Sequence, residues 1–170
     1  MTRKNKSKRS NPKSKSMRMP KSMRMRKSMR MRKSMRKQGK DASLVKLVVP
    51  KFLEMINTIK IYHWKTSSYA THKATDQLFA DLNTKTDEFV EVMLGKSNIN
   101  RDAVLNFPTA KISSFGTNAA CKLHIEKYIS FLLALPRNKC WNQVVNVDLL
   151  AIRDEIVALL NQFLYLLTLH

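Results

Sequence analysis

The chain has 170 residues and carries 32 Lys and Arg against 12 Asp and Glu, a formal net charge of +20. Residues 1–40 hold 18 of those cations and no acid, so the rest of the chain, with 14 basic and 12 acidic side chains, is nearly neutral and long enough to bury a core. Cys121 and Cys140 do not make a disulfide framework or a Cys-x-x-Cys pair, so both read as packed thiols in a reducing compartment.

The chain opens with a polybasic arm, residues 1–40. From Ser16 it repeats every six residues: Ser16-Met17-Arg18-Met19-Pro20-Lys21, Ser22-Met23-Arg24-Met25-Arg26-Lys27, Ser28-Met29-Arg30-Met31-Arg32-Lys33, then the truncated Ser34-Met35-Arg36-Lys37. This period is too short for a solenoid unit and fits neither heptads nor collagen triplets. Dense like charge opposes collapse, so the arm is expected to be disordered when free. Seven of the ten methionines alternate with Arg here and read as flexible apolar spacers. The cations Arg18, Lys21, Arg24, Arg26, Lys27, Arg30, Arg32, Lys33, Arg36 and Lys37 are the expected contacts to a polyanion. Nucleic acid, bound non-specifically and with DNA favoured, is the expected partner, because neutralised phosphates release counterions and nothing in the arm reads bases. A nuclear or nucleolar address, and adhesion to an anionic membrane or an acidic partner, stand as alternatives. Phosphorylation of the repeated serines would weaken the grip.

Gly39-Lys40-Asp41 marks the expected start of a helical domain, residues 41–170. Ser43 reads as a helix start, and a first helix is predicted to about residue 66, with Pro50 inside it. Its apolar positions Phe52, Ile56 and Ile59 lead to His63 at helical spacing. A second helix is predicted over about residues 71–94, with Gly95 as its stop. A longer connection contains Pro108 and a short helix near residues 101–106; third and fourth helices follow over about 117–135 and 147–169. No strand is predicted. The fold class is all-α, a four-helix bundle behind a disordered basic arm. The run from Ile156 to Leu169 is too short to span a bilayer, and the basic start is followed by no apolar run of a secretory signal. An intracellular protein, or one packed in a particle assembled inside a cell, is expected.

On the second helix, His72, Asp76, Asp87 and Glu91 stand at offsets 0, 4, 15 and 19. At about 100° per residue they fall within about one quarter of the helix surface. Fifteen residues separate His72 from Asp87 by about 22 Å, so no single ion reaches both along one straight helix. A metal site using all of them needs a second, antiparallel copy of the chain, which predicts a two-fold dimer if a metal is bound. Taken one at a time, these residues also read as a hydrogen-bonded imidazole beside a packed Trp and as a solvated acidic face.

The pattern resembles Dps, the DNA-protecting mini-ferritins of the ferritin-like superfamily. Their signature is a His-Trp near the end of the first helix, a His opening the second, an acidic residue four positions on, and an Asp and a Glu further along. Here these are His63-Trp64, His72, Asp76, Asp87 and Glu91. The stretch from Tyr62 to Asp76 is also similar to uncharacterised proteins of large DNA viruses, which implies a virion, a host nucleus or a viral factory as its place. The resemblance implies an intersubunit ferroxidase site with His63, His72, Asp76, Asp87 and Glu91 as ligands and Trp64 beside it, iron as the metal (Zn or Mn also suit such ligands), a homodimer or larger homo-oligomer, and DNA binding by the basic tail. The chain departs from that pattern in three ways: its two histidines are closer in sequence, which tells against convergence of the imidazoles; the connection after Gly95 shows no pattern of the family; and its fourth helix is greasier. The Glu-x-x-His pairs of classical ferritin-like di-iron bundles are also absent, which tells against an intrachain di-iron site. The alternative is a non-enzymatic virion or chromatin-like packing protein that keeps the bundle without the metal chemistry.

Overall fold

The computed structural model describes residues 20–97, 99–107, 112–142 and 144–169. The first repeat up to Met19, with Arg18, and also Pro108 lie outside them. Helix α1 spans Lys21–Lys65, α2 Tyr69–Lys96, the short α3 Arg101–Leu105, α4 Asn118–Ala134 and α5 Val147–Leu166, with a 3-10 turn at Leu135–Arg137 after α4. Among the described residues there is no strand, and no helix is long and apolar enough to cross a membrane. The all-α, four-helix architecture is the one the apolar periodicity predicts.

The chain divides into two compact units, residues 1–34 and 35–170. In the larger unit each long helix lays down a buried stripe at spacings of three and four, which average close to the 3.6-residue turn. In α1 the stripe is Val45, Val48, Phe52, Met55, Ile59 and Tyr62; in α2 it is Thr71, Thr75, Leu78, Leu82, Thr86, Phe89 and Met93. Helix α4 contributes Cys121, Ile125, Tyr128 and Leu132, and α5 contributes Leu149, Ile152, Ile156, Leu160 and Phe163. The Phe52 ring meets Phe89 edge-on at 5.2 Å, and Trp141 lies 6.5 Å from Phe89, which makes Trp141 core. Polar ties cross the bundle as well. Tyr62 Oη donates to Asn118 Oδ1, Tyr128 Oη to Glu54 at 3.4 Å, and Lys96 bridges α2 to Asp148 at the start of α5.

The structure departs from the sequence reading in three places. Residues 21–40 are helical and exposed, where disorder was expected of the arm. Arg, Lys and Met are strong helix formers, and the backbone amides of Met23 and Arg24 donate to the carbonyl of Pro20, which closes the first turn. A helix already formed over residues 41–65 also removes the nucleation cost, so adding turns is cheap even against charge repulsion. Ser43 is therefore not a cap: its hydroxyl donates back to the Gly39 carbonyl at 2.8 Å, as serine does inside a helix. Finally, α2 continues through Gly95 to Lys96, and Ser97 closes it by donating from Oγ to the Met93 carbonyl at 2.7 Å.

Candidate functional site

Helices α1 and α2 are joined by only Thr66, Ser67 and Ser68. Ser68 starts α2 as an N-cap, its Oγ accepting from the Thr71 amide at 3.3 Å. That tight link brings the two histidines together, contrary to what their short separation suggests. The His63 and His72 rings stack at 3.9 Å with 26° between their planes. His63 is buried and His72 half-buried.

Each imidazole is held by the other residue's backbone. His63 Nδ1 lies 3.1 Å from the His72 carbonyl oxygen, and His72 Nδ1 lies 3.1 Å from that of His63. A carbonyl only accepts, so both Nδ1 atoms carry the proton, and both Nε2 atoms keep their lone pairs when the rings are neutral. Thr75 completes the clasp. Its hydroxyl donates to the carbonyls of Thr71 and His72 at 2.8 and 2.9 Å, and its oxygen is 3.2 Å from His63 Nδ1. The His63 carbonyl belongs to the last turn of α1, where the helix has no backbone donor to offer, so His72 also serves as a cap. This confirms the hydrogen-bonded imidazole and leaves its other nitrogen available to a ligand, an arrangement in which a fixed tautomer orients a metal-binding histidine.

Asp76 lies beside this pair, with Oδ1 3.8 Å from His63 Nε2 and 4.0 Å from Lys60 Nζ. Lys60 spans the site, its ammonium 4.4 Å above the Phe79 ring and 5.8 Å from that of Trp64. Trp64 itself is exposed. Asp87 and Glu91 are exposed too, and do not join the histidines. Measured from the middle of the buried α2 stripe, His72, Asp76, Asp87 and Glu91 point about 80°, 120°, 140° and 180° away at 100° per residue, so the acidic set looks outward. Among the described residues no three His, Cys, Asp or Glu side chains gather as a metal-holding group. One chain thus presents two oriented nitrogens at one end of α2 and two exposed carboxylates toward the other.

Sequence reasoning missed Thr75 and Lys60, although both stand three residues from a histidine, the spacing at which helix side chains meet. The remaining histidine in view is structural: His124 Nδ1 is 3.1 Å from the Ala120 carbonyl and its ring lies 4.8 Å from Phe115.

The second candidate is the basic helical segment. A six-residue repeat on an α-helix turns by about 240° and rises about 9 Å per copy, so three copies return to the starting direction. Met23 and Met29 therefore point about 240° apart rather than forming one apolar face, and the arginines and lysines of residues 21–33 are spread round the helix, all of them exposed.

A protein-family model, described as a family of unknown function (DUF5856), matches residues 63–167, a span that begins at His63 and takes in both histidines, Asp76, Asp87, Glu91 and the bundle through α5. No curated protein and no solved structure matches the chain.

Proposed function

The chain belongs to the DUF5856 family, whose function is unknown, and for it we propose a nucleic-acid-associated role of the Dps-like kind, in which the basic segment binds duplex DNA without reading its sequence and the bundle is the scaffold. The observation that carries this reading is the segregation of charge: 18 cations and no acid in residues 1–40. A helix that inserts into a membrane surface needs an apolar face opposite a charged one, and the rotating repeat denies it that face, which leaves a membrane only electrostatic adsorption. Cations on every side suit a ligand with phosphate on more than one side, as a DNA groove has. The test is deletion of residues 1–40. Binding to duplex DNA should be steep in salt for the full chain, with a log–log slope near 0.9 per phosphate engaged, and should be lost from the truncated one. Undiminished, still salt-sensitive binding by the truncated chain refutes the assignment.

A second reading is supported by the Nε2 atoms of the stacked histidine pair, which make no hydrogen bond among the described residues. In it, His63 and His72 of one copy and Asp87 and Glu91 of a second, antiparallel copy hold Fe(II) at a two-fold interface, with Asp76 beside them, and the iron is the substrate of oxidation by peroxide. Imidazole with carboxylate suits Zn(II) and Mn(II) as well as iron. Metal analysis with native mass tests ligand and assembly together. Iron oxidation by the wild type should exceed that of the Asp87→Ala, Glu91→Ala double variant; equal rates leave a packing protein that has the bundle without the chemistry.

A further inference from the structure

We propose that Ser22, Ser28 and Ser34 are phosphorylation sites for a protein kinase that reads flanking basic residues, and that their phosphates release the segment from nucleic acid; the release, though not the modification, rests on the nucleic-acid reading above.

The repeat places each serine in the same chemical frame. Lys21, Lys27 and Lys33 come immediately before, Arg24, Arg30 and Arg36 stand two residues after, and Arg26 and Arg32 stand two before Ser28 and Ser34. A kinase groove lined with carboxylates would recognise such a frame by charge pairing. All three serines are exposed, and no residue of 21–34 is buried, so opening a turn to enter that groove breaks helical backbone bonds without uncovering any core.

The helix adds what the sequence lacks. Residues four apart lie about 40° apart around the axis and about 6 Å along it, near enough to pair. Ser28 has Arg24 one turn before it and Arg32 one turn after; Ser22 has Arg26 after it, and Ser34 has Arg30 before it. A phosphate on each serine would thus be gripped by guanidinium groups of its own helix. In the transfer, serine Oγ attacks the terminal phosphorus of a nucleoside triphosphate, forming the Oγ–P bond. The bond from that phosphorus to the bridging oxygen breaks, the nucleoside diphosphate leaves, and the serine proton passes to the kinase's base.

The charge change is large where the serines lie. Residues 21–34 hold seven of the 18 cations of residues 1–40. Three phosphoserines bring about −4.5 to −6 at pH 7, which cancels most of those seven and leaves residues 1–40 at about +12 to +13.5. Self-pairing also occupies the arginines that would otherwise contact DNA phosphates.

Two preparations of the full chain test the idea. In the first, the purified protein is treated with a serine kinase selective for Ser-x-Arg in a basic setting and with magnesium ATP, and the phosphates are mapped by tandem mass spectrometry. They should fall on Ser22, Ser28 and Ser34; their absence from all three overturns the proposal. In the second, phosphoserine is encoded at the three positions and binding to a 30-base-pair duplex (roughly three turns of DNA, so that the whole segment can engage) is measured against salt. Affinity should fall on the order of a hundredfold at about 0.1 M salt with a shallower slope, while helix content by circular dichroism is kept. Unchanged affinity overturns the switch. The Ser22→Ala, Ser28→Ala, Ser34→Ala variant should bind DNA as the wild type does and lose most of its response to the kinase, Ser7 and Ser16 being the Ser-x-Arg serines that remain; a full response in that variant assigns the effect to other serines and refutes these. If the unphosphorylated chain binds no duplex, the nucleic-acid reading and the release fall together, while the mass mapping still decides the modification.

Discussion

Replacing His72 by Ala removes one donor, Nδ1–H to the His63 carbonyl, and one face of the ring stack. A hydrogen bond of this kind is worth about 0.5–1.5 kcal/mol net, and an offset ring pair about 0.5–1.5 kcal/mol beyond its area. The half-buried His72 should therefore cost roughly 1–3 kcal/mol. His63→Ala should cost more, roughly 2–4 kcal/mol, because it empties a buried site and frees both the His72 carbonyl and Thr75 Oγ. Thr75 is not stranded by the change, since its hydroxyl still donates to the Thr71 carbonyl. The informative quantity is the coupling. Each histidine's hydrogen bond goes to the other's backbone, which alanine retains, so the only side-chain-to-side-chain interaction in the cycle is the stack. Urea unfolding of the two single variants and the double variant at pH 8 should give a coupling energy of about 0.5–1.5 kcal/mol. Additivity within about 0.3 kcal/mol would mean that the rings do not stack in solution, and the paired Nε2 atoms of the candidate metal site would go with them.

Phe89→Ala should destabilise the bundle by about 3–5 kcal/mol in the same assay, since Phe89 is fully buried and meets both Phe52 and Trp141. The Lys96 ammonium, hydrogen-bonded to Asp148, holds that carboxyl below its ordinary value of 3.8. A lowered folded value gives stability that is present above pH 3.8 and is lost as pH falls below it through the folded value. Because the pair is half-exposed, Asp148→Asn should reduce stability at neutral pH by only about 0–1 kcal/mol, and unfolding followed from pH 6 to pH 2 should show a smaller acid loss than in the wild type. Burial pushes the Cys121 thiol up to about 12, and its side chain is fully enclosed. Iodoacetamide at pH 8 should therefore label the half-buried Cys140 well before Cys121, with Cys121 reacting only after urea is added; equal native rates would contradict its burial.

Helical periodicity was legible because it is local. The spacing of Phe52, Ile59, Leu78, Leu82 and Phe89 states which way each helix must face, whatever its neighbours are, and four such stripes with no alternating run leave an all-α bundle as the outcome. Charge segregation was equally plain, since it needs only counting. Two features went beyond local pattern. The helix over residues 21–40 was hidden behind the visible repulsion of its cations, while the preformed helix that follows, which lowers the cost of extension, is a property of the folded bundle. The meeting of His63 with His72 depended on the path of the Thr66–Ser67–Ser68 link and on two backbone carbonyls, neither of which has any signature in residue type.

Residue order by itself therefore determined the helices of residues 41–170, their buried faces, and the concentration of positive charge at one end of the chain. Tertiary structure alone decided that two imidazoles nine positions apart stack, that both carry their proton on Nδ1, and that Asp76 stands beside them while the other carboxylates do not. The physical reason is range. A turn of helix spans about 5.4 Å and repeats without reference to anything else, whereas the orientation of a ring is set by hydrogen bonds to groups on another element, and those exist only once the chain has folded.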